Sequence, residues 1–260
     1  LGERDAQAAD LAELERLAPC ADADGDRGPF ALDDQGATSF HFTPEIARKL
    51  NLRKQIEEFA EEAKVSTAGV RENQNVLCPW DHRYRINEYI FALIAEALAR
   101  LVKELHPQRV AGLPEMSTES VAQHLGAENT ALIEEIFERP LAEAIAFARA
   151  NPLRIVGGEV RSNTPRYVGL MSRIYAAQGL YVFVTDDKSF KNTSTIFVWS
   201  FLTYILGLSG GDYFTSSHGA PQKQSDKILA QDGAQYLPPL YVRIVEHLYS
   251  IMGEIETTGY

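Results

Sequence analysis

Two hydrophobic patterns follow one another along this chain. Between Tyr84 and Leu105, apolar residues recur at helical spacing, which predicts a helix with a broad buried face. After Pro152, short runs of β-branched and aromatic residues alternate with helical segments. This alternation is typical of a mostly parallel sheet with helices on both faces. The predicted fold class is therefore α/β, in the form of a three-layer α/β/α domain.

Three strands are predicted near Ile155, Val182 and Tyr213, and we expect them to be neighbours in one sheet. The helices predicted around them cover residues 164–178, 195–206 and 239–252. Ligands of such sheets bind beyond the carboxyl ends of the strands. Residues that follow the predicted strands are therefore the first candidates for a functional site.

An acidic segment precedes this domain. Residues 1–62 hold 7 basic and 15 acidic side chains, and so contribute −8 of the net charge of −11. Thr43 and Pro44 predict the start of a helix that continues to about Glu62, because threonine is a good N-cap and proline suits the first helical position. The predicted division is an acidic segment over 1–62 and an α/β domain over 63–252, with a helical insertion at about 103–150.

The overall composition excludes several classes of protein. A net charge of −11 argues against nonspecific binding to nucleic acid or to an anionic membrane surface. Cys20 and Cys78 are far apart and have no metal-type spacing, so neither a disulfide scaffold nor a zinc site is supported. The most apolar stretch, residues 196–208, is shorter than the roughly 20 residues of a membrane-spanning helix. We expect a soluble protein of a reducing compartment, the cytoplasm.

The last predicted strand leads directly into a loop of small residues. Thr215, Ser216, Ser217 and His218 follow it, which places Ser217 and His218 at the ligand-binding edge of the sheet. An exposed hydroxyl beside an imidazole suits a nucleophile. Serine and glycine are also common in turns, so this stretch alone leaves a plain turn open as well.

Four segments in order give the chain a resemblance to domain I of the α-D-phosphohexomutases, the phosphoglucomutase and phosphomannomutase family. Residues 66–71 resemble the family's opening Gly-Thr-Ser-Gly-Leu-Arg segment, and residues 156–165 resemble its Val-Gly-Arg-Asp-Thr-Arg-x-Ser-Ser-Pro strand and loop. Residues 215–218 are similar to the Thr-Ala-Ser-His phosphoserine loop. Lys227 stands ten residues after Ser217, at the place of the family's lysine.

The resemblance implies a role for each matching residue. Ser217 would carry a phosphoryl group that passes to and from a hexose 1-phosphate or 6-phosphate, while His218 orients the loop. Arg71 and Lys227 would neutralise phosphoryl oxygens or assist proton transfer. The residues expected to bind phosphate are Arg161, Thr215 and Ser216. For Arg161, a structural ion pair near the site is an open alternative.

The chain also departs from the family pattern. Gly219-Ala220 stands in place of Asn-Pro, Gln224-Ser225 in place of Asn-Gly, and the helical block near 103–150 has no family counterpart. These departures leave the substrate open, and they leave a second function open, that of a noncatalytic binding or assembly module derived from a mutase domain. Family members need further domains for the sugar, so the remaining mutase domains are the expected partners if this chain is a fragment.

An acidic loop near the start of the chain is a candidate metal site. Asp22, Asp24 and Asp26 alternate with other residues, so their carboxylates can converge on one hard cation such as Mg²⁺. The family binds magnesium with an Asp-Gly-Asp-Gly-Asp-Arg loop and the phosphoserine, but there that loop lies after domain I. A mutase-type magnesium loop, an accidental match and a calcium loop of EF-hand type are the open interpretations, although the last lacks glycine at its sixth position.

Overall fold

The structure is a computed structural model of the chain. It describes residues 31–32, 38–39, 42–63, 69–73, 88–112, 116–159, 164–184, 195–216 and 223–258. These ranges contain a five-stranded sheet, a separate antiparallel pair of two-residue strands, and helices on both faces of the larger sheet. None of the described helices combines the length and the apolar composition needed to cross a membrane.

The strands are β1 (Ala31–Leu32), β2 (Thr38–Ser39), β3 (Val70–Asn73), β4 (Leu153–Gly158), β5 (Tyr181–Val184), β6 (Gly211–Phe214) and β7 (Lys223–Leu229). The helices are α1 (Pro44–Lys49), α2 (Leu52–Ala63), α3 (Glu88–Gly112), α4 (Thr118–Phe137), α5 (Leu141–Ala150), α6 (Thr164–Ala177), α7 (Ile196–Leu206) and α8 (Pro238–Thr258).

The larger sheet has the strand order β3-β7-β6-β4-β5. Strand β4 pairs in parallel with both β5 and β6, whereas β7 pairs antiparallel with β6 and with β3. Only β7 among these strands therefore runs against the others, and the sheet is mostly parallel. The prediction of an α/β fold with the strands near Ile155, Val182 and Tyr213 in one sheet is confirmed.

Alternation along each strand divides the core into two parts. Val156, Phe214 and Ile228 pack with α3, α6 and α8 and with the short helices α1 and α2 beyond them. Ile155 and Tyr213, on the opposite face, pack with residues of α4, α5 and α7. Because successive side chains of a strand point to opposite faces, a strand buried on both faces carries apolar residues in both alternating sets of positions. This requirement explains the continuous apolar runs in the sequence.

The predicted helix from Pro44 to Glu62 is interrupted in the structure. Thr43 caps it as predicted, with its Oγ1 accepting from the Ile46 N–H at 3.1 Å, but α1 ends at Lys49 and α2 begins at Leu52. Asn51 separates them with a φ of 50°, a left-handed conformation that asparagine tolerates better than most residues. Leu50 and Leu52 are both fully buried. Residues two apart lie on opposite sides of a continuous helix, so the break lets both face the core.

The helical block that was predicted near 103–150 contributes to the core under the sheet. Helix α3 continues to Gly112, and α4 and α5 follow, packed against each other. Val121, Ile133 and Ile145 are buried in the same cluster as Ile155 of β4. Helix α4 bends at Gly126, whose φ of 75° and ψ of 165° are not helical. Helices α4 and α5 therefore cover the face of the sheet that carries Ile155, whereas α3 packs on the opposite face.

Candidate functional site

The carboxyl ends of β4 and β6 are joined by Glu159. Its N–H donates to the carbonyl of Phe214 at 2.9 Å, and its Oε1 accepts from the N–H of Ser216 at 3.2 Å. Gly158 permits this approach, since a Cβ there would lie 2.5 Å from the Phe214 carbonyl oxygen. The backbone just before the predicted phosphoserine loop is therefore held by the neighbouring strand.

Arg71 lies on β3, at the sheet edge beside β7. Its Nη2 donates to the carbonyl oxygen of Ser216 at 3.3 Å, and the side chain is partly buried. In the antiparallel pairing of β3 with β7, Arg71 is opposite Ser225. The structure therefore brings a predicted site residue from a distant part of the sequence to the residue that precedes Ser217.

Lys227 lies on β7, where it is opposite Tyr213 of β6. Ser225 and Lys227 are two positions apart, so they share one face of the sheet, and Arg71 belongs to the same face through its pairing with Ser225. Lys223 is a further cation on this face of β7 and is partly exposed, as is Lys227. Guanidinium and ammonium groups on one face are suited to a phosphate.

Thr215 and Ser216 are both buried at the end of β6. The Thr215 N–H donates to the carbonyl of Ser225 at 2.9 Å, which continues the β6–β7 ladder by one residue. Ser216 is only 1% exposed, and its Oγ has no hydrogen-bond partner in the described part of the chain. The role in phosphate binding that the resemblance implies for Thr215 and Ser216 stays a prediction, and the observed contact of Ser216 with Arg71 is made by its backbone carbonyl oxygen.

Other predicted site residues lie outside the described ranges. These are Ser217, His218, Arg161 and the acidic residues Asp22, Asp24 and Asp26. Their roles stay predictions. In the described ranges, no group of three or more His, Cys, Asp and Glu side chains is placed to hold a metal ion.

Glu159 is a site residue that sequence reasoning did not single out, although it lies within the segment 156–165. Burial raises the pKa of Tyr213, and the negative charge of Glu159 raises it further. The carboxylate therefore acts electrostatically on the strand end as well as through its hydrogen bond. Its position directly after a buried strand was the available signal, since such positions face the ligand edge.

No protein-family model and no curated protein matches this chain. Among solved structures, the chain is similar to the crystal structure of a "putative phosphomannomutase" from Thermus thermophilus, with 17% sequence identity and a TM-score of 0.46. The similarity covers 71% of this chain and 29% of that one. The chain thus matches less than a third of that protein, and a similarity of this size assigns no activity.

Proposed function

We propose that this domain carries a phosphoryl group on Ser217 and exchanges it with a hexose phosphate, as the serine-bearing part of a mutase. In the first step, the P–O bond to Ser217 breaks as a sugar hydroxyl attacks phosphorus, and the hydroxyl proton leaves to a base. The Ser217 oxygen takes up a proton as it leaves, and the product is a sugar bisphosphate. The Ser217 hydroxyl then attacks the other phosphorus and gives up its proton, while the P–O bond to the sugar breaks and the sugar oxygen is protonated. The net reaction interconverts a 1-phosphate and a 6-phosphate.

The contact between Arg71 and Ser216 carries this proposal. It places a permanent positive charge 3.3 Å from the backbone oxygen of the residue just before Ser217. Catalysis of phosphoryl transfer depends mainly on positioning and on neutralising the charge of the moving group. A cation held next to the candidate carrier by β3–β7 pairing supplies both, because its backbone contact fixes the guanidinium relative to the loop.

Lys227 completes the cationic face. It belongs to the same face of β7 as Ser225, the residue paired with Arg71, and it is partly exposed. We assign Lys227 to the neutralisation of a phosphoryl oxygen or to proton transfer. His218 would orient the loop, and Arg161 would bind the phosphate of the substrate. The backbone N–H of Ser216 already donates to Glu159, so it is not a donor to phosphate in this arrangement.

A magnesium ion belongs to the proposal only as an expectation. The resemblance to phosphohexomutases implies Mg²⁺ bound by the phosphoryl group of Ser217 and by Asp22, Asp24 and Asp26, where it would neutralise phosphoryl charge. None of these residues lies in the described ranges, so no step above depends on the ion. A cytoplasmic location and the presence of the remaining mutase domains as partners are likewise expectations.

The test compares Ser217→Ala with Ser216→Ala. We expect the wild-type protein, purified from cells, to carry a phosphoryl group that intact-mass measurement and phosphopeptide mapping place on Ser217. Ser217→Ala should lose it, whereas Ser216→Ala should keep it, because the Ser216 hydroxyl is buried. Incubating the wild type with a hexose 1-phosphate should remove the label and form a bisphosphate. The melting temperatures of both variants should stay near that of the wild type, since each loses one hydroxyl worth about 1 kcal/mol or less.

Phosphate that maps to Ser216, or a Ser217→Ala protein that is loaded as well as the wild type, would show that the carrier is wrong. A wild type that never acquires phosphate, even with a hexose bisphosphate as donor, would favour the second function. That function is a noncatalytic binding or assembly module, and exposed aromatic side chains on α7 favour it, above all Phe197 at 79% exposure. A hydrophobic surface of this kind often marks an interaction site.

A further inference from the structure

Three charged side chains lie entirely inside the domain, on the face of the sheet opposite to Arg71 and Lys227. Arg154 of β4, Asp212 of β6 and Asp226 of β7 each have 0% of their surface exposed. The alternation along the strands puts all three on the sheet face that carries Phe214 and Ile228, which is the face packed against α6 and α8. Charged groups are almost never fully buried unless they are paired.

The positive charge of this group is paired with Asp212. Arg154 Nε and Nη2 donate to the two carboxylate oxygens of Asp212, each at 3.0 Å, and Nη2 also donates to the Gly211 carbonyl at 2.8 Å. Planar bidentate pairing of this kind neutralises one carboxylate. Asp212 is therefore the natural counter-ion of Arg154.

Asp226 is the second carboxyl group of this cluster, and Arg154 is paired with the other one, Asp212. In the antiparallel pairing of β6 with β7, Asp212 is opposite Ile228 and Phe214 is opposite Asp226, so the two aspartates are diagonal neighbours on one face. No N–H or hydroxyl group in the described part of the chain donates to either oxygen of Asp226. An ionised Asp226 would therefore be a buried negative charge that no donor satisfies.

The other titratable groups around Asp226 do not supply a charge to balance it. Tyr175 of α6, Tyr241 of α8 and Tyr236 just before α8 are buried, and the charge of Asp212 raises the pKa of each in addition to the larger effect of burial. They are neutral phenols at physiological pH. Two buried carboxylates would thus face one guanidinium, and an uncompensated charge in the interior costs several kcal/mol.

We propose that Asp226 is protonated and neutral in the folded protein, and that this proton, together with the Arg154–Asp212 pair, keeps strand β7 paired with strand β6 next to the candidate loop. This group of Arg154, Asp212 and Asp226 lies near the chain positions that lead into the loop. Phe214 is opposite Asp226, and the Thr215 N–H to Ser225 carbonyl bond is the next contact toward residues 217–222. A second negative charge at Asp226 would act against these last contacts of the ladder. The inference concerns folding and pH response, and it holds whatever chemistry occurs at Ser217.

The direction of the pH effect follows from the two states of Asp226. Burial raises its pKa well above the usual value, and the charge of Asp212 raises it further. In the unfolded chain an aspartate releases its proton at about pH 3.9. Between the unfolded and the folded pKa, the folded state holds one more proton than the unfolded state, so stability falls as the pH rises. The stabilisation is fully present below the unfolded pKa and is lost as the pH rises through the folded pKa.

The test measures urea unfolding from about pH 5 to about pH 9 for the wild type and Asp226→Asn. For the wild type, we expect this ionisation to make the unfolding equilibrium constant rise by up to about tenfold for each unit of increase in pH, because the unfolded state has released the proton that the folded state keeps. Asp226→Asn is isosteric and uncharged, so it should lack that contribution and should be at least as stable as the wild type at the alkaline end. Surface carboxylates titrate in both proteins, so the difference between the two curves isolates Asp226.

Glu128→Gln is the matched control, since Glu128 is an exposed carboxylate on α4 and its loss should leave the slope of the wild type unchanged. A direct measurement covers the case of a variant that fails to fold. The infrared spectrum of the wild type near neutral pH should contain the C=O band of a protonated carboxylic acid. Absence of that band, or equal pH slopes for the wild type and Asp226→Asn, would overturn the proposal.

Discussion

At the scale of single residues, one ion-pair geometry occurs in two different environments. Arg154 and Asp212 form a bidentate pair with neither side chain exposed, whereas Arg53 and Glu256 form a similar pair on the surface, with 46% and 38% of their side chains exposed. Water competes for the surface pair and screens its charges, but it does not reach the buried one. The same chemical contact therefore has very different consequences for stability.

Replacing the arginine of each pair with methionine measures this difference. Arg154→Met leaves the buried carboxylate of Asp212 without its counter-ion, so we expect a loss of about 3–5 kcal/mol in the free energy of unfolding. Arg53→Met should cost less than about 1 kcal/mol. Urea unfolding at one neutral pH compares the two variants with the wild type. Equal losses would mean that removing the arginine costs no more free energy of unfolding in the interior than on the surface.

Residue motifs predicted part of the candidate site. Arg71 and Lys227 were recognisable because each lies in a short segment that resembles a known family, and the structure brings them to one face of the sheet. Glu159 and Asp226 could not be assigned in this way. Glu159 matters because it bonds to Phe214 on the neighbouring strand, and Asp226 matters because it lies diagonally across from Asp212. A single sequence does not reveal which residues become neighbours across a sheet.

At the scale of elements, β3 and β7 are the strands of the five-stranded sheet that the sequence pattern did not reveal. Strand β7 reads Lys-Gln-Ser-Asp-Lys-Ile-Leu, and polar residues occupy both alternating sets of positions over most of its length. It buries Gln224, Ser225 and Asp226 all the same. Period-two alternation is the main signal for a strand, and here it is absent. The strands β4, β5 and β6 were predictable because apolar residues dominate them.

Gly69 leads into β3, and its lack of a side chain allows this strand to approach β7. Its φ is +86°, and a Cβ there would lie 2.2 Å from the backbone oxygen of Asp226. Both the conformation and the contact therefore exclude alanine. Gly179 after α6 has a similar φ of +81°, but nothing lies within 4 Å of its Cβ position. The two glycines differ mainly in the space around them.

We expect Gly69→Ala to destabilise the protein by about 3 kcal/mol or more, since backbone strain and a contact with immobile backbone add together. Gly179→Ala should cost about 1–2 kcal/mol from its left-handed conformation alone. Chemical denaturation of both variants provides the comparison. Equal costs would indicate that β3 can move away from β7 without loss of stability, and the position of Arg71 would then be less firmly fixed.

At the scale of the whole molecule, a sheet with helices on both faces connects distant parts of the chain. Ile46 of α1 and Leu50, the C-cap residue of that helix, are buried in the cluster that also contains Phe214 of β6, and α1 and α2 both pack on α8. Trp199 of α7 is buried on the other face, where its ring lies 5.8 Å from that of Tyr213. The acidic composition of residues 1–62 led to the prediction that they are separate from the α/β domain. Composition does not show, however, that α1 and α2 pack against α8 of that domain. The division into domains stays a prediction that unfolding experiments can test.

Leu50→Ala tests whether the N-terminal helices and the sheet unfold together. Leu50 is fully buried, so the change should destabilise the protein by about 2–5 kcal/mol. In a Trp80→Phe background, fluorescence reports only Trp199, on the opposite face of the sheet, while circular dichroism reports all helices. We expect Leu50→Ala to shift both urea transitions equally, because one cooperative unit loses stability as a whole. Arg48→Ala, at an exposed position of the same helix, should shift both by no more than about 0.5 kcal/mol. If Leu50→Ala moves only the circular dichroism transition, α1 and α2 unfold independently and the boundary near residue 62 separates two folding units.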